Sequence, residues 1–218
     1  MVAVEGNTHP SVLDRTVHNK HPSFMPRARE FDREEALERA MRVFWAKSYA
    51  STSTDDLLMA MGIGRQSLYN AFHDKRRLYL EALETYQRTS TSGHLRRLNG
   101  PSSPIAGLEA LLVGLVSDDH DTRRRGCMGV GAVSEFGTTD SDIVALRTKV
   151  TPALQRRLVQ RLKEGQAAGE IDGSINCATA ASFIQMTMQG IQLAARAGAD
   201  AVQIRTLARF AVERLKSR

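Results

Sequence analysis

The sequence of 218 residues lacks the features that define several large classes of protein. Its two cysteines, Cys127 and Cys177, are too few for a disulfide framework or for a zinc site with four thiolates. No apolar run approaches the roughly 20 residues that a membrane-spanning helix needs. The N-terminus also has no charged segment followed by an apolar one, as a secretion signal would. We therefore expect a cytoplasmic protein without a membrane partner.

What is present is the composition of an ordinary globular chain. Hydrophobic residues make up 42% and charged residues 25%, which excludes wholesale disorder. The length suits one large domain or two small ones. The net charge of +6 favours a polyanionic partner only weakly, because residues 27–97 and 98–218 share it equally. A motif is needed to say which part faces such a partner.

Hydrophobic periodicity predicts an all-α protein of about nine helices, with no strand of useful length and no internal repeat. Residues 1–26 hold three of the six prolines and no apolar period, which predicts a flexible leader. The Asn-Gly-Pro-Ser-Ser-Pro stretch that starts at residue 99 predicts a boundary between a domain over 27–98 and a second helical domain over 99–218. Pro152 lies inside a helix predicted over about 140–168, which it should kink or restart.

Two short helices joined by a glycine turn are predicted between residues 53 and 72. Ser53, with Asp56 three residues later, forms a capping box that opens the first of them. Gly62 permits the left-handed backbone that would end it, and the second helix follows over 65–72. This arrangement is typical of a helix-turn-helix unit, in which the second helix enters the major groove of DNA.

The outward side chains of the second helix match the chemistry of base recognition. They are Arg65, Gln66, Tyr69 and Asn70. Arginine reads guanine in bidentate fashion, glutamine or asparagine reads adenine, and tyrosine packs beside a thymine methyl. Leu68 and Phe72 should face inwards and anchor the helix. Lys75 adds positive charge near a phosphate, and the first helix offers its N-terminal amides and the Ser53 hydroxyl to the DNA backbone.

The segment from Ser53 to Lys75 resembles the DNA-binding signature of the TetR family of bacterial transcriptional regulators. The shared landmarks are the Gly-Ile turn, the Ser-Leu-Tyr-x-x-Phe helix and the Asp-Lys start of the next helix. The resemblance spans about residues 30–90 and is weaker beyond Gly100. Gly64 departs from it, since many members have Ser or Thr there as the helix cap; a possible phosphate contact is lost with that side chain.

The resemblance implies a homodimer that represses transcription by occupying a palindromic operator in double-stranded DNA. It implies that a small-molecule effector binds the C-terminal domain and moves the long helix after residue 75 like a lever. The implied contacts to bases and backbone come from Arg65, Gln66, Tyr69 and Asn70. The implied phosphate contacts come from Ser53, Thr54, Ser67 and Lys75.

Apolar residues between the central helices are candidates for the walls of the effector pocket. The candidates, with the neighbouring thiol, are Leu111, Leu115, Cys127, Met128, Val133, Phe136, Leu146, Phe183, Met186 and Met188. Methionine suits adaptable cavities, but such a stripe is also typical of plain core. Small residues in the last two helices predict close packing, against a dimer mate or within one chain.

Two features leave alternatives to this function open. Cys127 follows three arginines at a helix start, where a thiol pKa is lowered, so the protein could be an electrophile-sensing repressor; the alternative is a small buried residue. The outward face of the second short helix could instead bind protein, as in a helical adaptor.

No convergent acid, base or nucleophile set is visible, and we expect no enzyme and no cofactor. The histidines lack metal-ligand spacing, and we expect His94 and His120 to be solvated and no metal to bind.

Overall fold

The computed structural model describes residues 2–3 and 31–217, so the predicted leader lies almost wholly outside the described residues. The described residues form ten helices and no strand. The helices are α1 Arg33–Lys47, α2 Thr54–Met61, α3 Arg65–Phe72, α4 Lys75–Asn99, α5 Pro104–Val113, α6 His120–Arg125, α7 Met128–Phe136, α8 Ser141–Ala167, α9 Cys177–Arg196 and α10 Ala201–Glu213. Helix α6 is the one beyond the predicted nine. Its sequence, His-Asp-Thr-Arg-Arg-Arg, has no apolar residue, so hydrophobic periodicity could not reveal it.

The predicted helix boundaries around the turn are confirmed. The Ser53 side chain accepts a hydrogen bond from the Asp56 amide, and the Asp56 side chain accepts one from the Ser53 amide, which completes the capping box. Gly62 ends α2 with a φ of 69°, a left-handed conformation that favours glycine. Gly64 caps α3 without any side-chain hydrogen bond.

The first hydrophobic core joins α1 to α4 with part of α7 and the start of α8. Its fully buried side chains include Phe44, Leu57 and Tyr79, and the Phe44 and Tyr79 rings meet edge to face with centroids 5.0 Å apart. The first core also contains Met128 and Ala132 of α7 and Ile143 of α8. It is therefore completed by residues that lie far beyond α4 in the sequence.

The second hydrophobic core lies among α5, α8, α9 and α10. It begins with Leu98 at the end of α4 and includes Leu158 and Leu162 of α8. Helix α8 runs unbroken through Pro152, so the predicted restart does not occur. No helix of the described residues is long and apolar enough to cross a membrane.

Candidate nucleic-acid interface and internal cavity

The α2–turn–α3 unit separates anchoring side chains from exposed ones. Leu68 and Phe72 are buried in the first core. On the other side of α3 the exposed side chains are Arg65, Gln66, Tyr69 and Asn70. A short helix fixed by two apolar anchors thus presents four polar or aromatic groups to solvent, and these groups can hydrogen-bond to base edges.

The exposed side chains of α3 make only weak contacts within the protein. Arg65 Nη2 lies 2.7 Å from Asp55 Oδ1, and Gln66 Nε2 donates to Asn70 Oδ1 over 2.9 Å. Contacts between groups this exposed contribute little to stability. These side chains can therefore exchange their partners for bases at small cost.

The predicted phosphate contacts are placed differently from one another. The Ser53 hydroxyl donates to Asp56 Oδ2 over 2.8 Å, so its predicted contact with a phosphate would require it to exchange this partner. Lys47, which also hydrogen-bonds to Asp56, holds the pKa of that carboxyl well below its ordinary value. Thr54 and Ser67 are half-buried. The Lys75 ammonium lies 4.3 Å from the centre of the Tyr49 ring.

Helix α7 attaches the second half of the protein to the turn between α1 and α2. Glu135 Oε2 accepts a hydrogen bond from the Tyr49 amide over 3.1 Å, and Oε1 accepts one from the Ala50 amide over 2.6 Å. Trp45 Nε1 donates to the carbonyl of Gly126 just before α7. Movement of α7 must therefore move or release the turn that leads into α2.

Replacement of Glu135 by alanine is expected to expose the Tyr49 and Ala50 amides to exchange with solvent. Glu135 supplies the hydrogen-bond acceptor for both amides. Hydrogen bonds to a charged group contribute about 1.5–3 kcal/mol, so exchange should speed up at least about tenfold. Amide exchange measured by NMR tests this. The Ser48 amide donates to the Phe44 carbonyl over 2.8 Å and should keep its protection; equal loss there would mean unfolding of the turn instead.

A cavity of about 320 Å³, partly open to solvent, lies among α4, α7, α8 and α9. Part of its wall is apolar and is formed by Leu115, Val130, Val133, Val150, Leu154 and Met188. The polar wall carries amides and hydroxyls, from Gln87, Gln185, Gln189, Gln192, Tyr86, Ser90, Thr91 and Ser134. His94, Cys127 and Arg147 complete the ionisable part of the lining. The volume lies at the lower end of the range for ligand sites in proteins.

The predicted pocket residues fall into two groups. Those that line the cavity are Leu115, Cys127, Val133 and Met188. The other six lie elsewhere: Leu111 and Met128 are core, Phe136 and Leu146 pack against the first core, and Phe183 and Met186 are 42% and 71% exposed on α9. Helix α9 turns a polar face to the cavity, which accounts for the outward positions of Phe183 and Met186. A search for apolar residues passes over glutamine.

His94 lines the cavity and is not solvated as predicted. Its ring nitrogens lie 3.1 Å from Ser90 Oγ and 3.3 Å from Arg97 Nη1. Burial, helped by the charge of Arg97, lowers the pKa of His94 to about 4, so the ring is neutral at pH 7. Burial also raises the pKa of Tyr86, and the nearby Cys127 thiol adds to this shift. The described residues hold no group of three His, Cys, Asp or Glu that could bind a metal ion.

The free energy of unfolding should fall as the pH drops from about 6.5 to about 4. In this pH range the unfolded chain binds a proton at His94 and the folded protein does not. The pKa of His94 is about 4 in the folded protein, against an ordinary value of 6.5. Urea unfolding at about pH 7.5 and about pH 5 should differ by on the order of 1–2 kcal/mol from this group. His94→Gln should remove that difference, whereas His120→Gln on exposed α6 should keep it. An unchanged slope in His94→Gln would refute the role of His94.

The fold and these two sites define a helix-turn-helix protein with a cavity in its helical second half. Residues 36–82 match the family model of bacterial regulatory proteins of the tetR family. Residues 104–211 match the tetracyclin repressor-like C-terminal domain. The chain belongs to the TetR family of transcriptional regulators.

Individual relatives agree with this assignment. The HTH-type transcriptional repressor ComR of Escherichia coli strain K12 is 30% identical over 187 residues, which cover 84% of this chain and 88% of ComR. A solved structure of the TetR family regulator CifR, a cysteine mutant complexed with 26-base-pair operator DNA, is 28% identical. That match covers 87% of this chain and 99% of CifR with a TM-score of 0.69. A TetR family regulator from Agrobacterium tumefaciens shares the fold, with a TM-score of 0.74 at 22% identity over 85% of this chain and 97% of that one.

Proposed function

We propose that this protein is a homodimeric repressor that occupies a palindromic DNA operator in the cytoplasm until a small molecule fills the cavity among α4, α7, α8 and α9. The proposal depends chiefly on α3, whose exposed side chains carry the groups that read bases while Leu68 and Phe72 fix the helix. It is supported by ComR, a named repressor, and by CifR, which was solved on operator DNA. The protein acts by binding and carries out no catalysis.

The two last helices support a homodimer. Six large apolar side chains lie exposed on α9 and α10, namely Phe183, Met186, Leu193, Val202, Leu207 and Phe210. Exposed patches of this kind on a monomer mark protein contact surfaces. A second copy that covers them with its own α9 and α10 would place two α3 helices side by side on one duplex.

The cavity is coupled to the DNA-binding half through two helices. Helix α7 contributes Val130, Val133 and Ser134 to the cavity and Glu135 to the turn before α2. Helix α4 contributes Tyr86 to the cavity and begins directly after α3. A dimer must hold its α3 helices roughly 34–36 Å apart, or a multiple of that, to dock in successive major grooves. An effector that shifts α4 or α7 changes this separation and weakens binding.

Selection of bound duplexes from a random DNA pool, at near-physiological salt, tests the proposed function. We expect enrichment of a palindrome with half-sites about one helical turn apart. Affinity for that sequence should fall steeply with added salt, by about one log–log unit per neutralised phosphate. If no sequence is enriched and binding does not depend on salt, the exposed face of α3 binds protein and the chain is an adaptor.

A further inference from the structure

We propose that the cavity among α4, α7, α8 and α9 selects a small organic anion, a carboxylate with a short apolar body, as its ligand. This inference rests on the proposed role of the cavity as the effector site and names the chemical class of the effector. It is carried by the charge of the cavity wall, by its hydrogen-bond donors and by its size.

The charges around the cavity are of one sign. Arg147 lines it, and no Asp or Glu is among the described residues of its wall. One further guanidinium group lies directly behind the wall, since Arg97 Nη1 lies 3.3 Å from a ring nitrogen of His94. Arg97 forms no ion pair with any described residue. The positive charge of Arg97 therefore adds to that of Arg147 beside the cavity.

The polar groups of the wall are those that hold a carboxylate. Gln185, Gln189 and Gln192 recur at helical spacing on α9 and can each donate an amide N–H into the cavity. A cationic ligand would find no carboxylate among the described lining residues, so the free-energy cost of its desolvation would not be offset. A wholly apolar ligand would bury these amides without partners, which is also unfavourable.

Gln87 gives an independent sign that the cavity is incomplete without a ligand. Its Oε1 atom is buried and has no hydrogen-bond partner among the described residues. Buried acceptors of this kind are rare in folded proteins. A ligand that carries a hydroxyl or amide N–H besides its carboxylate would satisfy Gln87 while the carboxylate meets Arg147.

The size and the apolar side of the cavity limit the rest of the ligand. A volume of about 320 Å³ suits a metabolite-sized molecule. Leu115, Leu154 and Met188 offer an apolar surface on which a short alkyl or aromatic body can pack.

Alkylation of Cys127 by two reagents that differ in charge tests the proposal without DNA. The thiol lines the cavity, and both iodoacetate and iodoacetamide react with it by displacement of iodide. The rate ratio of iodoacetate to iodoacetamide at Cys127, followed by peptide mass spectrometry, is compared between the folded dimer and the same chain unfolded in urea. We expect the ratio to be at least about fivefold higher in the folded protein, because the guanidinium groups of Arg147 and Arg97 attract the anionic reagent to the cavity.

Two variants locate the source of the selectivity. Arg147→Gln should bring the ratio close to that of the unfolded chain, whereas Arg156→Gln, an exposed position on the same helix, should leave it unchanged. A ratio in the folded wild-type protein equal to or below that of the unfolded chain overturns the proposal, whatever Arg147→Gln does. If the selection experiment enriches no sequence, the proposed function is refuted instead, and the alkylation ratio still reports the charge preference of the cavity.

Discussion

Operator binding is expected to weaken by about tenfold or more when either Arg65 or Tyr69 is replaced by alanine, since one good base contact contributes about 1–3 kcal/mol of discrimination. Both side chains lie exposed on α3, and neither is part of a hydrophobic core. The dimer should therefore stay folded, with the same far-UV circular dichroism and melting temperature within a few degrees. In the double variant, specific binding should be lost altogether.

The double variant should lose its specific affinity for the operator and keep its non-specific affinity for DNA. Titrations with the selected operator and with a scrambled duplex of equal length should converge in the double variant. Arg156→Ala removes the same charge from an exposed site on α8, far in the sequence from α3, and should leave the operator affinity unchanged. If both single variants bind the operator as well as the wild type, α3 is not the reading helix.

Replacement of Phe210 by aspartate is expected to convert the dimer to a monomer and to reduce operator affinity by two orders of magnitude or more. Phe210 is 57% exposed on α10, close in sequence to Leu207, which is 58% exposed. An aspartate in such an apolar contact must be desolvated together with Arg214, whose guanidinium lies 4.8 Å from the centre of the Phe210 ring, and this costs several kcal/mol. A monomer then binds one half-site and loses the gain in effective concentration that the second half-site provides.

Analytical ultracentrifugation at micromolar protein concentration measures the first part of this effect. Met59 on α2 offers the matched control, because it is 84% exposed and lies outside α9 and α10. Met59→Asp should therefore sediment as the wild type does. A Phe210→Asp protein that remains dimeric would show that the copies meet through another surface.

The DNA-facing half was predictable because its signals are local. The Ser53 capping box, the turn at Gly62 and the alternation of buried Leu68 with exposed Tyr69 each depend on residues a few positions apart. Interactions between neighbours in sequence are set by backbone geometry alone. These local interactions do not depend on the surrounding tertiary structure, and the structure contains each of them.

The cavity was predictable only in part because it depends on how helices rotate against one another. The apolar stripe of α9 that contains Phe183 and Met186 suggested a pocket wall, but it faces outwards, and the glutamines of the same helix line the cavity. The Glu135 contact with the α1–α2 turn spans 85 residues, and nothing in the local sequence marks it. Such pairings follow from tertiary packing, which periodicity alone does not fix.

The participation of Met128, Ala132 and Ile143 in the first core has a consequence for how this protein can be recombined with its relatives. A fragment that stops at the end of α4 would leave a hydrophobic surface uncovered and would lose the Glu135 contacts. Chimeras that join the DNA-reading half of one regulator to the sensing half of another should therefore exchange α7 and the first turns of α8 together with α1 to α4. Crossovers near residue 100 cut through one cooperative unit. Hybrids made there should respond weakly to the effector even when both parent regulators are functional.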